Sequence, residues 1–294
     1  MTAATDAQAP AASVSLPPLR DVIARHGLAA RRGLGQHFLL DLNLTGRIAR
    51  AAGDLSRGTA IEIGPGPGGL TRALLDCGAA HVVAVERDER CRPVLEEIAA
   101  AFPGRLTYLM TDALEVEIAA LGPAPRRIVA NLPYNVATAL LLRWLDEIDT
   151  IASLTLMFQK EVADRLAAQP RSKDYGRLSV LVQWLCEVRR LFDISPRAFT
   201  PPPKVTSSVL QLTPRAQPLH PADKATLERV TAAAFGQRRK MLRQSLRALT
   251  PAAAELLAAA GIPETARAEE LDVGQFCALA REWRKIAEVR NEWR

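Results

Sequence analysis

The sequence of 294 residues is poor in cysteine, and its few thiols are scattered. Cys77, Cys91, Cys186 and Cys277 form no Cys-x-x-Cys pair, which disfavours both a zinc site and a disulfide framework. Free thiols fit the reducing environment of the cytosol. We therefore expect a cytoplasmic protein without a bound metal.

Long uncharged apolar stretches are missing too, and none is long enough to cross a bilayer as a helix. Residues 1–16 lack the basic segment and the following apolar segment of a secretory signal. Their content of alanine, proline and serine is typical of a disordered tail. The sequence thus predicts a disordered tail over 1–16 and no membrane as a partner.

Neither sign of charge dominates the composition. The 38 Lys and Arg residues exceed the 32 Asp and Glu residues enough to leave a net charge of only +6. A surface that binds nucleic acid would have to be a local basic patch. A slightly basic enzyme with no such surface fits the composition equally well.

Short apolar runs that alternate with helical patterns begin at Thr59. Runs with strand character cover 59–63, 81–86, 105–110, 126–130, 150–158, 187–194 and 206–214. Strands that alternate with helices are typical of a parallel sheet with crossover helices. The last two runs could pair antiparallel at the sheet edge. The predicted fold class is therefore α/β, with a mostly parallel seven-stranded sheet.

Helical patterns fill the rest of the chain. One short helix ends at Gly27, and a second follows a glycine-punctuated loop, with Asn43 as its plausible cap. Beyond Pro214 the pattern is entirely helical. We therefore expect a sheet domain over 17–214 and a smaller all-helical domain over 215–294.

The first strand leads directly into the glycine-rich loop EIGPGPGGLT. Gly64, Gly66 and Gly69 satisfy the dinucleotide pattern G-x-G-x-x-G, and Glu86 ends the next strand where a ribose-binding acid is expected. However, two prolines in the loop remove main-chain N–H donors that a pyrophosphate would use. The loop therefore favours a nucleoside ligand that carries no phosphate.

A further acid, Asp112, follows the third strand. It is placed to accept a hydrogen bond from an adenine amino group, although it could instead cap the segment after it. Glu86 could likewise be a solvated charge, but its place at a strand tip after this loop favours ligand binding. S-adenosylmethionine is the leading candidate, because its cationic sulfonium tolerates nearby carboxylates.

The segment Asn131-Leu132-Pro133-Tyr134 follows the fourth strand and so lies beside the cofactor. The exocyclic amine of a base is a poor nucleophile, because its lone pair is delocalised into the ring. The Asn131 amide oxygen and a main-chain carbonyl of Leu132 or Pro133 could accept its hydrogens and favour a pyramidal nitrogen. Proline fixes φ, and Tyr134 offers a stacking face. A proline-ended strand with a core tyrosine is the alternative.

Further motifs accompany these: GQHFLLD (35–41), VERD (85–88), TDAL (111–114), DYGRLSVLVQ (174–183), FTPPPKVTSS (199–208) and FGQRRKMLRQSL (235–246). Together they resemble the small-subunit (16S) ribosomal RNA adenine N6,N6-dimethyltransferases, the KsgA/RsmA family. The resemblance covers nearly the whole chain beyond the tail. It implies a Rossmann-like methyltransferase domain that uses S-adenosylmethionine and no metal.

The resemblance also implies roles for individual residues. Cofactor contacts are expected from His37, Leu39, Gly64, Gly66, Glu86, Asp112, Ala113 and Asn131. Asn131, Pro133 and Tyr134 are expected to hold the target adenine, with Phe199 stacking on its other face; core packing is the alternative for Phe199. Leu34, His37 and Pro67 depart from the commonest family pattern, which has asparagine at the position of His37.

The implied activity is dimethylation of two adjacent adenosines in the 3′-terminal hairpin loop of small-subunit rRNA. The implied enzyme is a monomer with a part in late subunit assembly, and its partner is the small ribosomal subunit. A large-subunit dimethyltransferase of the macrolide-resistance type is one alternative, and an assembly factor that mainly binds is another. A dehydrogenase is disfavoured by the loop prolines.

A basic segment lies between Phe235 and Leu249. It contains Arg238, Arg239, Lys240, Arg243 and Arg247 and no acid. If the segment is one helix, Arg239, Arg243 and Arg247 share a face. Unbroken positive charge favours contact with RNA phosphates, and a merely solvated helix face is the alternative.

Overall fold

The computed structural model describes residues 16–31, 33 and 35–290, without the side chains of 289 and 290. The predicted disordered tail falls outside the described residues except for Leu16, and Leu34 falls outside them as well. Within these ranges, no helix has the length and apolar character needed to cross a membrane.

One sheet of seven strands organises the described chain. Its strands are β2 (Thr59–Ile63), β3 (Val82–Glu86), β4 (Leu106–Met110), β5 (Arg126–Asn131), β6 (Ser153–Gln159), β7 (Cys186–Ile194) and β9 (Ser207–Pro214). They lie side by side in the order β4-β3-β2-β5-β6-β9-β7. The five strands from β4 to β6 pair in parallel, whereas β9 pairs antiparallel with both β6 and β7. The predicted α/β class and the antiparallel edge pair are confirmed.

The central strands are buried on both faces, as their continuous apolar runs predict. Successive side chains of β2 point to opposite sides, so that Ala60 and Ile61 belong to two different hydrophobic clusters. The helices of this part of the chain are α1 (Leu19–Arg25), α2 (Leu42–Ala51), α3 (Gly69–Asp76), α4 (Arg92–Ala101), α5 (Ala137–Trp144), α6 (Lys160–Ala167) and α7 (Arg177–Leu185).

The cap expected at Asn43 is wrong. Asp41 is the N-cap of α2, and its carboxylate accepts a hydrogen bond from the main-chain N–H of Asn43. The preceding loop also contains a short element that was not expected. Strand β1 (Phe38–Leu39) pairs antiparallel with β8 (Phe199–Thr200), forming a two-stranded ribbon apart from the main sheet.

The C-terminal part is helical, with α8 (Lys224–Gly236), α9 (Leu242–Ser245), α10 (Ala253–Ala259) and α11 (Val273–Arg290). Its core is continuous with that of the sheet, since Trp144 and Trp283 belong to one hydrophobic cluster. The Trp184 indole at the end of α7 donates a hydrogen bond to the His220 carbonyl, 2.7 Å away. The predicted division into a domain over 17–214 and another over 215–294 therefore stays a prediction.

The basic segment is not one helix, contrary to expectation. Helix α8 ends at Gly236, and Arg239 lies in the following turn. Met241 then forms an isolated β-bridge with Arg267, and α9 begins only at Leu242. A long-range backbone pairing therefore interrupts the helical pattern, and Arg239 does not share a helix with Arg243.

Candidate active site

A cavity of about 200 Å³ lies at the carboxyl ends of the parallel strands. Of the predicted site residues, it is lined by His37, Gly64, Glu86, Asp112, Ala113, Asn131, Pro133 and Tyr134. Leu39, Gly66 and Phe199 do not border it. The meeting of four strand ends at one sheet edge explains why residues far apart in sequence come together here.

The glycine-rich loop between β2 and α3 borders the cavity at Gly64. Gly64 and Gly66 have φ of 71° and 53°, values that side chains rarely allow. A Cβ on Gly66 would lie 3.2 Å from the Phe38 ring. The loop can therefore approach Phe38 and the ligand space only because these positions lack side chains.

Glu86 ends β3 with its carboxylate buried, the residue being 7% exposed. Its Oε2 accepts a hydrogen bond from the Gly66 N–H at 3.0 Å, and its Oε1 accepts one from the Asp88 N–H at 2.8 Å. Burial raises the pKa of Glu86, and the main-chain hydrogen bonds oppose that rise. Each oxygen keeps a second lone pair, so the fixed carboxylate can still accept hydrogen bonds from ribose hydroxyls.

Asp112 both caps the backbone and borders the cavity. Its Oδ1 accepts a hydrogen bond from the Leu114 N–H at 3.0 Å, at the start of a short 3₁₀ helix, and its Oδ2 accepts one from Arg87 at 3.1 Å. The alternative that Asp112 caps the segment after it is therefore confirmed. The adenine contact stays a prediction.

Asn131 ends β5 in a fixed orientation. Its Nδ2 donates a hydrogen bond to the His37 carbonyl at 3.3 Å, and the residue borders the cavity. Because the amide nitrogen is engaged there, the amide oxygen points away from His37. Asn131 therefore presents an acceptor whose direction is set by the segment before β1.

Two carbonyls follow Asn131, and they differ in how their lone pairs are used. The Pro133 carbonyl accepts hydrogen bonds from the N–H groups of Val136 and Ala137, both at 3.1 Å, where α5 begins. It therefore serves the start of that helix, and the Leu132 carbonyl is the better-placed second acceptor.

Tyr134 is half-buried, and both its hydroxyl and its ring make contacts that fix the side chain. Its hydroxyl lies 2.6 Å from the Ser207 Oγ at the start of β9. Its ring stacks against the His37 imidazole, with the two centroids 5.7 Å apart and the planes inclined by 30°. Burial raises the pKa of the Tyr134 hydroxyl, so it stays a neutral hydrogen-bonding group.

Phe199 and Leu39 lie beneath the cavity. They face each other in the β1–β8 ribbon, where Phe199 is 3% and Leu39 is 6% exposed. Both belong to the hydrophobic cluster on one face of the sheet. In this conformation Phe199 follows its core-packing alternative, and its expected stacking role stays a prediction.

A polar network beside the cavity was not predicted from the sequence. Asp88 accepts hydrogen bonds from Gln36 Nε2 at 3.0 Å and from Arg90 Nε at 2.9 Å. The Arg90 guanidinium lowers the pKa of Asp88 to about 2 and also reaches the Ala29 carbonyl at 3.1 Å. The sequence shows the alternating charges of ERDER, but it does not show that Asp88 and Arg90 bond to residues 50 or more positions away.

Glu62 was not predicted either, although it stands in the middle of an apolar strand. It is 1% exposed, and its Oε2 accepts no hydrogen bond from the described residues. Burial raises its pKa to about 8, with the Glu86 charge adding to the rise and Thr71 opposing it. The sequence did contain a signal for this residue, because Glu62 is a carboxyl within the otherwise apolar run TAIEI.

The predicted RNA-contacting residues lie apart from the cavity. Arg239, Lys240, Arg243 and Arg247 are exposed. Arg238 is partly buried and donates to the Glu269 carboxylate and to the Ser172 carbonyl, so it has a structural task.

Comparisons with known proteins agree with this geometry. A solved dimethyladenosine transferase from Plasmodium falciparum superposes with a TM-score of 0.72 at 24% identity, over 85% of this chain and 98% of that one, and so supports the fold. A solved 23S rRNA methyltransferase, ErmE, gives a TM-score of 0.62 at 28% identity, over 84% of this chain and 99% of that one.

Two sequence relatives share a higher identity with this chain than these solved structures do. The ribosomal RNA small subunit methyltransferase A of Rhodospirillum rubrum is 68% identical over 266 residues, 90% of this chain and 92% of that protein. The protein of that name from Paramagnetospirillum magneticum is also 68% identical, over 90% of this chain and 94% of its own length. The profile of the family described as ribosomal RNA adenine dimethylase matches residues 27–285. The chain therefore belongs to the ribosomal RNA adenine dimethylase family.

Proposed function

We propose that this enzyme transfers methyl groups from S-adenosylmethionine to N6 of two adjacent adenosines in small-subunit rRNA. The observation that carries the proposal is the pair of acceptors at the end of β5. The Asn131 amide is fixed by the His37 carbonyl, and the Leu132 carbonyl follows it at the edge of the cavity. This pair suits a group with two N–H hydrogens, and the exocyclic amine of adenine is such a group.

The residues around the cavity fit S-adenosylmethionine. Gly64 borders the cavity with a φ of 71°, and Glu86 presents a fixed carboxylate at the tip of β3. Glu86 would hold the ribose hydroxyls, and Asp112 and Ala113 would border the adenine. When bound, the cofactor supplies an electrophilic methyl group. The carboxylates of Glu86 and Asp112 at the cavity favour its positive charge over an anionic ligand.

The chemistry of the protein residues is hydrogen bonding at the target amine. Acceptors on both hydrogens favour a pyramidal nitrogen, whose lone pair is then available for attack, so the stabilisation grows toward the transition state. No base has to remove a proton first. The methylated nitrogen carries a positive charge, and its proton leaves afterwards. The same acceptors can serve the second transfer, since one N–H remains after the first.

The choice of subunit is supported by the relatives. Proteins at 68% identity are named for the small subunit, whereas the large-subunit enzyme ErmE is 28% identical. A cytoplasmic monomer that acts on the small subunit, with a part in its late assembly, belongs to the same proposal. The exposed Arg239, Lys240, Arg243 and Arg247 would contact phosphates of that particle.

The test is methyl transfer from labelled S-adenosylmethionine to purified small and large subunits that lack the modification. We expect labelled dimethyladenosine in the small-subunit rRNA only. Label in the large subunit alone would replace the proposal with its alternative.

The variant Asn131→Ala separates catalysis from binding in the same assay. We expect a single-turnover rate at saturating subunit at least about a hundredfold below wild type, because the missing acceptor acts mainly in the transition state. Affinity for the subunit should change little. A rate within about threefold of wild type would contradict the role of Asn131.

A further inference from the structure

We propose that a cleft between α2 and α3 is a second ligand site, which binds phosphate groups through Arg72 and Arg50. The cleft has a volume of about 420 Å³ and is bordered by residues of both helices, among them Gly46, Arg50, Arg72, Ala73 and Asp76. It shares no lining residue with the cavity at the carboxyl ends of the strands. The site therefore goes beyond the proposed function, and only the choice of rRNA as its phosphate source rests on that function.

The guanidinium of Arg72 is buried and only partly hydrogen-bonded. The residue is 5% exposed, and its Nη1 donates a hydrogen bond to the Pro17 carbonyl at 2.6 Å. Its Nε and Nη2 are also buried, and neither has a hydrogen-bond partner among the described residues. A guanidinium stays protonated in proteins, and a buried charge without a partner is costly. An anion that pairs with this group would therefore stabilise the folded protein.

The unpaired nitrogens form the side of the guanidinium that grips two oxygens at once. Nε and Nη2 carry parallel N–H bonds, which match the two oxygens of a carboxylate or a phosphate. Arg92 uses this side on the Glu89 carboxylate, and Arg190 uses it on the Asp193 carboxylate. Arg72 has the same pair of donors and no such acceptor among the described residues.

The nearest acids leave Arg72 unpaired. Glu97 and Asp76 oppose the lowering of the Arg72 pKa by burial, but neither accepts a hydrogen bond from Arg72. Glu97 pairs with Arg25 and His26 instead. Asp76 is exposed at the end of α3. The partner of Arg72 therefore has to come from outside the described chain.

Arg50 makes phosphate a better ligand than a carboxylate. It is exposed on α2, and no carboxylate of the described residues forms an ion pair with it. A Cβ on Gly46 would lie 3.1 Å from Arg50 Nη1, so the lack of a side chain there leaves room for this guanidinium at the cleft. One guanidinium already takes both oxygens of a carboxylate, whereas a phosphate has further oxygens for a second one.

A side-chain movement opens the site to a ligand. Nε and Nη2 have almost no exposed surface, so the Arg72 side chain has to rotate about its outer bonds to turn them toward the cleft that it borders. The contact that yields is the hydrogen bond to the neutral Pro17 carbonyl. It is weaker than the charge-assisted bonds that a phosphate offers.

The test is thermal unfolding of the full chain over a series of inorganic phosphate concentrations, with chloride keeping the ionic strength constant. Phosphate also stabilises proteins without a site, so the comparison between variants is the measurement. Arg72→Gln removes the charge, and Arg72→Lys keeps the charge without the paired donors. Arg47→Gln is the matched control, because Arg47 is exposed on the same helix as Arg50 but lies over the Phe192 ring and does not border the cleft.

We expect wild type and Arg47→Gln to show the same saturable rise in unfolding temperature, and Arg72→Gln to lose it. Arg72→Lys should bind phosphate at least about tenfold more weakly, because two charge-assisted bonds are lost. A saturable rise of wild-type size in Arg72→Gln overturns the site. An equal rise with acetate in place of phosphate overturns the choice of phosphate.

Arg50→Gln provides a second decision at an exposed position, should Arg72→Gln fail to fold. We expect its phosphate affinity to fall at least about threefold, since one charge-assisted contact is lost. Phosphate affinity equal to that of Arg47→Gln would overturn the two-arginine site.

Binding to unmodified small subunits over a salt series distinguishes the two phosphate sources. If an rRNA phosphodiester occupies the cleft, Arg72→Gln should bind subunits more weakly, with a slope of log affinity against log salt lower by about 0.7–0.9. Wild-type subunit binding together with a lost phosphate response assigns the cleft to free phosphate. Failure of the proposed function looks different, because wild type would then transfer no methyl groups to the subunit while its phosphate response persists.

Discussion

At the scale of single residues, Glu86 joins the glycine-rich loop to the segment that follows β3. Its two oxygens accept the N–H groups of Gly66 and Asp88, so the carboxylate is fixed before any ligand arrives. We expect Glu86→Ala to weaken binding of S-adenosylmethionine at least tenfold, about 1.4 kcal/mol, because charge-assisted bonds to the ribose are removed. Isothermal titration calorimetry of the purified enzyme measures this change.

Glu89→Ala is the matched control for that substitution. Glu89 stands three residues further on, with an exposed side chain that pairs only with Arg92 among the described residues. Its removal should leave cofactor affinity unchanged, and NADH should bind neither variant. Wild-type affinity in a folded Glu86→Ala protein would refute the ribose assignment.

We expect Glu62 to make the stability of the enzyme depend on pH. Burial raises its folded-state pKa from 4.5 to about 8. Below pH 4.5 the carboxyl is protonated in both states, and between these values only the folded state retains the proton. Stability should therefore fall as pH rises toward 8, by up to about 1.4 kcal/mol per unit, and then level off.

The substitution Glu62→Gln removes this titration. We expect the variant to gain unfolding free energy over wild type progressively between about pH 5 and pH 8, measured by denaturant titration at each pH. Glu89→Gln, at an exposed site, should follow wild type throughout. A difference between Glu62→Gln and wild type that does not vary with pH would mean that Glu62 is ionised in the folded protein.

At the scale of elements, the segment before β1 is tied at Ala29 and Gln36 to the residues that follow β3, by side-chain hydrogen bonds. Arg90 bonds both Asp88 and the Ala29 carbonyl, and Gln36 bonds Asp88. Gly33, Gly35, Gln36 and His37 from this segment border the cavity. The Arg90 network therefore fixes residues on one side of the cavity without Arg90 itself bordering the cavity.

Arg90→Gln should loosen this segment. We expect faster amide hydrogen exchange over 29–37 and an S-adenosylmethionine dissociation rate at least about threefold higher, because charge-assisted bonds contribute about 1.5–3 kcal/mol each. Arg92→Gln is the control, since Arg92 is exposed and bonds only Glu89 among the described side chains. Unchanged exchange over 29–37 in Arg90→Gln would show that other contacts hold the segment.

Elements with a regular pattern could be predicted from the sequence, and those made by distant contacts could not. The seven strands of the sheet start and end within three residues of the expected bounds, because each is a buried apolar run between turn signals. The β1–β8 ribbon has two residues per strand, too few for any periodicity. The Met241–Arg267 bridge, which divides the basic segment, likewise depends on a pairing that local pattern does not contain.

The same division holds for the site. The motifs placed Gly64, Glu86 and Asn131 at one sheet edge, because the carboxyl ends of parallel strands meet there. The motifs could not predict that the His37 ring stacks on Tyr134, 97 residues away, or that Phe199 packs opposite Leu39, 160 residues away. Both contacts depend on side-chain packing between distant segments. The positions of the strand ends thus follow from sequence pattern, whereas the ring contacts follow only from the folded chain.

At the scale of the whole molecule, binding to a ribosomal particle has to come from local charge. The net charge of +6 is modest, and Arg238 is engaged with Glu269. The exposed Arg239, Lys240, Arg243 and Arg247 are concentrated where α8 gives way to α9. They are divided among the turn after α8, helix α9 and the 3₁₀ helix that follows it, Leu246–Ala248.

Replacing Arg239, Arg243 and Arg247 with Gln tests whether the basic segment binds phosphates. Phosphate contacts add affinity without reading the base, so binding to the small subunit should weaken while S-adenosylmethionine affinity stays constant. The slope of log affinity against log salt should fall by about 0.7–0.9 for each phosphate that the variant no longer neutralises, because fewer counterions are released. The control replaces Arg57 and Arg127, which lie before β2 and at the start of β5, at the amino edge of the sheet and far from the site. This control should keep the wild-type slope. A triple variant with the wild-type slope would mean that the basic segment is only solvated and that another surface docks on the rRNA.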